Sequence, residues 1–333
     1  MMSEPNPGLV FDLLNSYQRT AALRAGVELD VFGALGKEGA TAAAIAKHSG
    51  VPVRGIRILC DFLTITGLLE KSDGKYVHTP TSAVFLDPAS PASMAPTVPF
   101  LLTKNILHAA DLLTETIRKG HTALQKPIAG DEVEEWVMFA KSMHPMMAGA
   151  AEHLAEVGNE TGPTTRVLDV ASSHGLFGMA FAKRNADTHV TALDFETVLE
   201  VTKKNVTEAG LGGQYSYIAG SAFTVDMGGP YDVVLVTNLY HHFDIPTCEE
   251  LMRRFHDVMA PGARMLTLEM VPNEDRVTPV VPASFSMMML QNTPSGDAYT
   301  LAEYEMMLTN TGFKDVELRE VPLSAEQLVV AVK

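Results

Sequence analysis

From Gly162 to its end the chain alternates short apolar runs with helical stretches, and few folds accept that alternation. "TRVLDVAS", "HVTALDF", "YSYIAGS", "YDVVLVTN" and "ARMLTLEM" read as strands apolar enough to be covered on both faces. Strands that alternate with helices build a parallel, doubly wound sheet. A last helix is expected near residues 301–311. Two more strands follow, "DVELREV" and "EQLVVAVK", with only residues 322–325 between them. A connection that short permits an antiparallel pair and no parallel crossover, so the sheet is expected to close on an antiparallel hairpin.

Ligands of such sheets bind beyond the carboxyl ends of the strands, near the point where strand order reverses. The first strand runs into "VLDVASSHGLFG", residues 167–178. The dinucleotide fingerprint G-x-G-x-x-G would need glycine at position 173, where this chain has Ser173, followed by His174, Gly175 and Gly178. Asp194 ends the second strand, and a carboxylate there accepts the ribose hydroxyls of NAD or of another adenosine cofactor. A pyrophosphate needs close backbone approach at the first two glycines, and Ser173 and His174 add bulk there. Asp169, near the end of the first strand, repels a pyrophosphate and suits the ammonium end of a methionine moiety. The turn therefore favours S-adenosylmethionine over NAD.

The N-terminal region is helical by spacing over residues 8–35, with Gly36 and Gly39 ending it. Thr41 then caps a short helix that Gly50 stops, residues 51–66 supply a second helix, and "LLEKSDGKYVHT" reads as a hairpin turning at Asp73-Gly74. Helix, turn, helix and two-stranded wing make a winged helix. A DNA-reading module should be basic, but residues 1–90 carry eight Lys/Arg against nine Asp/Glu. The second helix is amphipathic, with Ile56, Leu59, Cys60, Leu63 and Gly67 on one face, so packing or dimerisation is expected. The whole chain carries a net charge of −15, which opposes binding to nucleic acid or anionic membrane. Cys60 and Cys248 match no metal or redox spacing and read as buried, inert thiols. Without a signal-like N-terminus or a long apolar run, the expected location is cytoplasmic.

Nearly the whole chain resembles the hydroxyindole (acetylserotonin) and plant-type small-molecule O-methyltransferases. The most specific stretch is "VVLVTNLYHHFDIPTCEELMRRFHDVMAPGARMLTLEMVPNED". It matches the family's strand, Leu-His-Asp-Trp, helix, Pro-Gly-Gly-Arg and strand ending in Glu, with Tyr240-His241-His242-Phe243-Asp244, Pro261-Gly262-Ala263-Arg264 and Glu269. The resemblance implies a mainly α winged-helix dimerisation domain at residues 1–95. Helices of the substrate pocket follow at 96–160, and an α/β class I methyltransferase domain at 161–333 has a Rossmann-like, seven-stranded sheet ending in the hairpin. It implies a homodimer, S-adenosyl-L-methionine as cofactor, no metal, and methyl transfer to a hydroxyl of a small aromatic or secondary metabolite.

By that match His241 takes the place of the general base, and Glu269 could orient it. A phenol of pKa about 10 is largely protonated at neutral pH and needs such a base. The implied cofactor residues are Asp169, Ser173, Gly175, Asp194, Phe195, Ser221, Ala222, Phe223 and Asn238. Those implied for the acceptor are Phe139, Met143, His242, Met289 and Asn292, from "FAKSMHPMM" and "FSMMMLQNTPSG". Methionine adapts to flat apolar ligands, and Phe139 and Phe285 add aromatic surface.

The chain departs from the pattern in its glycine-poor loop, in Gly220-Ser221-Ala222-Phe223 after the third strand, and in His242 at the family's aspartate position. About Ala298, the plant-type pattern has a second glutamate supporting the base. Alternatives are carbon methylation or a non-methylating reaction on the same fold, a metal held by His241, His242 and His144, and a ligand-sensing regulator without turnover.

Overall fold

The computed structural model describes residues 5–127 and 133–333, and the chain divides into two compact units between Thr103 and Lys104. In the first unit Asn6 accepts the Gly8 N–H at 2.8 Å and Pro7 supplies the first turn of helix Pro7–Glu28. The apolar spacing expected to continue to residue 35 is broken at Asp30, whose φ of +51° turns the chain into a second helix, Val31–Leu35.

Thr41 caps helix Ala42–Ser49, Gly50 ends it in the left-handed conformation, and helix Val53–Ile65 follows. Three strands make the wing: β1 (Ala40–Thr41), β2 (Leu69–Ser72) and β3 (Lys75–His78), in the order β1-β3-β2 and turning at Asp73-Gly74 with both φ positive. Phe32, Ile45, Ile56, Cys60, Leu63, Leu69 and Tyr76 form the core of this unit. Leu9, Val10, Phe11, Leu13, Leu14 and Tyr17 of the first helix remain between 58% and 67% exposed, a contiguous apolar surface.

The second unit is built on a seven-stranded sheet of β4 (Arg166–Val170), β5 (His189–Asp194), β6 (Tyr215–Ala219), β7 (Tyr231–Thr237), β8 (Met259–Glu269), β9 (Lys314–Glu320) and β10 (Gln327–Val332). Its order is β6-β5-β4-β7-β8-β10-β9. The first five strands in that order are parallel, and β10 runs antiparallel between β8 and β9. Strand order reverses between β4 and β7, and ligands of such sheets bind beyond the carboxyl ends of the strands at that point.

Helices Leu176–Arg184, Glu196–Glu208, Ile245–Asp257 and Leu301–Asn310 cover the sheet, the last opened by a Thr300/Glu303 capping box. The core around β7 gathers Val234, Val236, Tyr240, Leu251, Phe255 and Met265. Both cysteines are buried and free, and burial pushes the Cys60 thiol up to about 11, which keeps it inert. Among the described residues no helix is long and apolar enough to cross a membrane.

Candidate active site

The turn after β4 reaches a glycine-like shape without the missing glycine. Ala171, Ser173 and Gly175 have φ of +52°, +52° and +77°. A left-handed non-glycine residue costs on the order of 1–2 kcal/mol, and hydrogen bonds hold the turn in place. The Ser173 N–H donates to Asp194 Oδ2 at 2.8 Å, the Thr202 hydroxyl to the Ser173 carbonyl at 2.7 Å, and the Asn205 amide to the His174 carbonyl at 2.9 Å. His174 points inward: its Nδ1 accepts the Leu176 N–H at 3.2 Å, and only 2% of the residue is exposed.

Asp194 ends β5 as expected, and its other oxygen accepts the Phe195 N–H at 2.7 Å. Burial pushes its carboxyl up to about 6, against the pull of the Ser173 and Phe195 N–H groups. Asp169 is fully buried on β4. Its Oδ2 accepts the Gly178 N–H at 3.1 Å, while Oδ1 has no partner among the described residues. Burial pushes this carboxyl up to about 8; the Gly178 N–H opposes the shift and the charge of Asp194 adds to it. A Cβ on Gly178 would stand 2.7 Å from Val190, 2.8 Å from the Tyr215 hydroxyl and 2.9 Å from Asp169 Oδ2, so glycine is what lets the helix approach the acid. The Gly220 N–H donates to the Asp194 carbonyl at 2.9 Å, which joins the loop of Ser221, Ala222 and Phe223 to the same end of β5. Phe223 meets Phe243 edge-on at 5.3 Å between ring centroids.

His241 and Glu269 come from the ends of adjacent strands. The His241 Nδ1–H donates to Glu269 Oε2 at 2.5 Å, and Glu269 Oε1 accepts the Leu239 and Tyr240 N–H groups at 2.9 and 2.8 Å. Both residues are buried, at 5% and 0% exposure. Asp244 caps helix Ile245–Asp257 just beyond the histidines, and the Tyr299 hydroxyl donates to the Phe243 carbonyl, so the turn is fixed on its far side too.

Gly296 packs so closely on this turn that a Cβ there would overlap the His241 carbonyl. With the Nδ1–H of His241 committed to the carboxylate, its Nε2 lone pair is left to accept a proton. The His241 ring meets His242 at 4.2 Å and Phe285 edge-on at 4.9 Å. Burial, with His241 beside it, holds His242 well below the usual histidine range, and its Nδ1 has no partner among the described residues.

Phe285, Met289 and Asn292 share helix Val280–Asn292. Asn292 is buried, its amide donates to the Met288 carbonyl at 2.9 Å, and its Oδ1 is unpartnered among the described residues. Phe139 lies on helix Val133–Ser142 and the buried Met143 directly after it. Trp136, three residues before Phe139, sets its ring edge-on to His242 at 5.2 Å. The sequence reading missed Trp136, although its lone occurrence and its i, i+3 spacing with Phe139 were the available signals. It also missed Glu326, a buried acid at the start of β10. The side chain of His144 lies outside the described residues.

Comparisons with known proteins place the chain in a family. Residues 127–314 match the model of an O-methyltransferase domain, and residues 11–88 that of an O-methyltransferase dimerisation domain. A 3-hydroxy-5-methyl-1-naphthoate 3-O-methyltransferase of Streptomyces sahachiroi is 26% identical over 98% of this chain and 95% of its own length. A crystal structure from Nostoc punctiforme, described as a candidate O-methyltransferase, is 42% identical with a TM-score of 0.95, covering 99% of this chain and 100% of that one. Human N-acetylserotonin methyltransferase in complex with S-adenosylmethionine shares the fold at 21% identity and a TM-score of 0.86, over 100% of this chain and 99% of its own.

Proposed function

We propose that this chain, which belongs to the O-methyltransferase family, moves the methyl group of S-adenosylmethionine to a hydroxyl of a small aromatic molecule. The observation that carries the reading is the buried His241–Glu269 pair, 2.5 Å apart at the carboxyl ends of β7 and β8, beside the crevice that Asp169 and Asp194 line.

The residues of the crevice suit the cofactor. Asp169 Oδ1 and Ser173 Oγ are buried without partners among the described residues, a condition that costs about 1–3 kcal/mol per group. The ammonium group of the amino-acid end would satisfy Asp169 and return it to its charged form. Asp194 would hold the ribose, with Phe195 and the loop of Ser221, Ala222 and Phe223 at the adenine, and Asn238 and Gly175 would complete the wall. When bound, the cofactor supplies a methyl carbon already activated by its sulfonium.

What the protein adds is alignment and a place for the proton. His241 Nε2 accepts the proton of the acceptor hydroxyl as the oxygen becomes nucleophilic. Glu269 holds the ring in the tautomer that leaves Nε2 free and stabilises the imidazolium that forms. Two backbone N–H groups on Glu269 Oε1 keep the carboxylate from swinging away.

Phe285 against His241, and Trp136 against His242, favour a flat aromatic acceptor. Met143, Met289 and Phe139 would shape the rest of its pocket. The Streptomyces relative is named for a hydroxynaphthoate, a bicyclic phenol of that form. The dimerisation domain and the exposed apolar face of helix Pro7–Glu28 support a homodimer.

His241→Gln tests the assignment. It should bind S-adenosylhomocysteine like the wild type and lose about 10²–10⁴-fold in turnover on the hydroxynaphthoate or hydroxyindole that the wild type methylates. Unchanged turnover would remove His241 from the role of base.

A further inference from the structure

The turn that lacks a glycine is held by two side chains to which the reaction described above gives no part. Both belong to helix Glu196–Glu208, which follows β5, and their spacing of three residues sets them on one face of it. Thr202 is fully buried. Its hydroxyl donates to the Ser173 carbonyl at 2.7 Å and stands 3.4 Å from Ser172 Oγ, which is then the donor of that weaker pair. Asn205 is half-buried, and its amide donates to the His174 carbonyl at 2.9 Å. The methyl group of Thr202 has a place as well. A Cβ on Gly175 would stand 2.8 Å from Thr202 Cγ2, so the methyl occupies the space that glycine leaves open there.

Ser173 is tied on both sides, through its N–H to Asp194 and through its carbonyl to Thr202. The two ties differ in what else they do. Asp194 is the carboxylate that would also hold the ribose, whereas the bonds of Thr202 and Asn205 run to backbone carbonyls of the turn alone. At a φ of +52°, a residue other than glycine shifts its turn toward other conformations by roughly tenfold. A hydroxyl fixed on the Ser173 carbonyl opposes that shift.

Resting on the methyltransferase reading, we propose that Thr202 and Asn205 are positioning residues for S-adenosylmethionine: they fix the Ser173 and His174 carbonyls so that the turn, without a glycine at position 173, keeps the shape that receives the cofactor's amino-acid end. Glycine at 173 and an anchoring hydroxyl at 202 are then two solutions to one requirement. With glycine at 173 the hydroxyl becomes dispensable. With serine there, cofactor affinity depends on it.

A double-mutant cycle on the full-length protein tests this, read by calorimetry with S-adenosylhomocysteine and by amide hydrogen exchange without it. Thr202→Val keeps the shape of the side chain and removes the hydroxyl. It should weaken S-adenosylhomocysteine between about threefold and about tenfold, the worth of one hydrogen bond. It should also speed exchange at the Ser173 and Gly175 amides, which bond Asp194 Oδ2 and the Ser172 carbonyl. Thr202→Ser, which keeps the hydroxyl, should bind close to the wild type. In a Ser173→Gly background, Thr202→Val should cost less than about twofold, whatever Ser173→Gly does alone. Asn205→Ala, at a half-buried position, should weaken binding in the same range and decides if Thr202→Val does not fold.

Unchanged affinity in Thr202→Val and in Asn205→Ala overturns the proposal, as does a loss from Thr202→Val that is just as large in the Ser173→Gly background. The two readouts separate the two readings. A wild type that binds S-adenosylhomocysteine, with affinity and exchange both indifferent to Thr202, would overturn the anchoring role alone. Exchange that depends on Thr202 in a wild type that does not bind S-adenosylhomocysteine would overturn the methyltransferase reading and leave Thr202 as the anchor of the turn.

Discussion

Replacing Asp169 by asparagine should stabilise the cofactor-free protein and abolish cofactor binding. Asp169 is fully buried with one unpartnered oxygen, and its carboxyl sits at about 8, against about 3.9 in an unfolded chain. Between those values the unfolded state has already lost the proton that the folded state keeps. The unfolded state then binds fewer protons, and stability falls as pH rises.

The interval is roughly 4 units, and at about 1.36 kcal/mol each the loss approaches 5 kcal/mol above pH 8. That is an upper bound, because water entry and relaxation of the crevice lower it. Asparagine cannot ionise and can still accept the Gly178 N–H. Urea or thermal unfolding at pH 5, 7 and 8.5 should therefore show Asp169→Asn pulling ahead of the wild type as pH rises. One third of the bound, about 2 kcal/mol, is already a shift of roughly 4–8 °C for a unit of this size.

Saturating S-adenosylhomocysteine should reverse the order wherever the variant's lead is smaller than the gain from the ligand. The wild type gains about 2.7 kcal/mol at a hundredfold excess over Kd, and the variant gains nothing. A variant less stable than the wild type at pH 8.5 without cofactor would refute the claim that Asp169 is held at a cost for the sake of a bound cation.

Gly178→Ala introduces a Cβ within 3 Å of Val190, Tyr215 and Asp169 at once, so it should cost about 1–3 kcal/mol by overpacking and weaken S-adenosylhomocysteine binding by displacing the acid. Denaturant unfolding and calorimetry on one preparation check both effects, and an unaffected stability would contradict the close approach of helix and strand. Phe11→Asp with Leu14→Asp, on the apolar face of the first helix, should yield a monomer by light scattering with its melting point little changed. A dimer that survives both charges would place the interface elsewhere.

The sheet was legible because its strands are continuous apolar runs and because four residues between the last two strands leave only an antiparallel connection. The break at Asp30 was not, since the apolar spacing runs on through it and only a local left-handed residue interrupts the helix. The first turn looked deficient in sequence because Ala171 and Ser173 adopt a conformation normally left to glycine. What stabilises Ser173 there, the Asp194 and Thr202 hydrogen bonds, comes from residues 20 or more positions away. His241 and Glu269 could be placed at the ends of neighbouring strands. Their shared hydrogen bond depends on the register of β7 against β8, which sequence alone does not set. Glu326 was hidden for a related reason: an acid before an apolar run reads as a solvated strand end, and it is buried only because β10 inserts between β8 and β9.

The central claim is that the crevice beyond β4 and β5 holds S-adenosylmethionine in spite of its missing glycine. Its most direct test is a calorimetric titration of the purified protein with S-adenosylhomocysteine, repeated on Asp194→Ala after a melting curve has shown that the variant folds. The account predicts micromolar binding in the wild type and none in the variant; a wild type that releases no heat of binding, or a variant that binds as well, would contradict it.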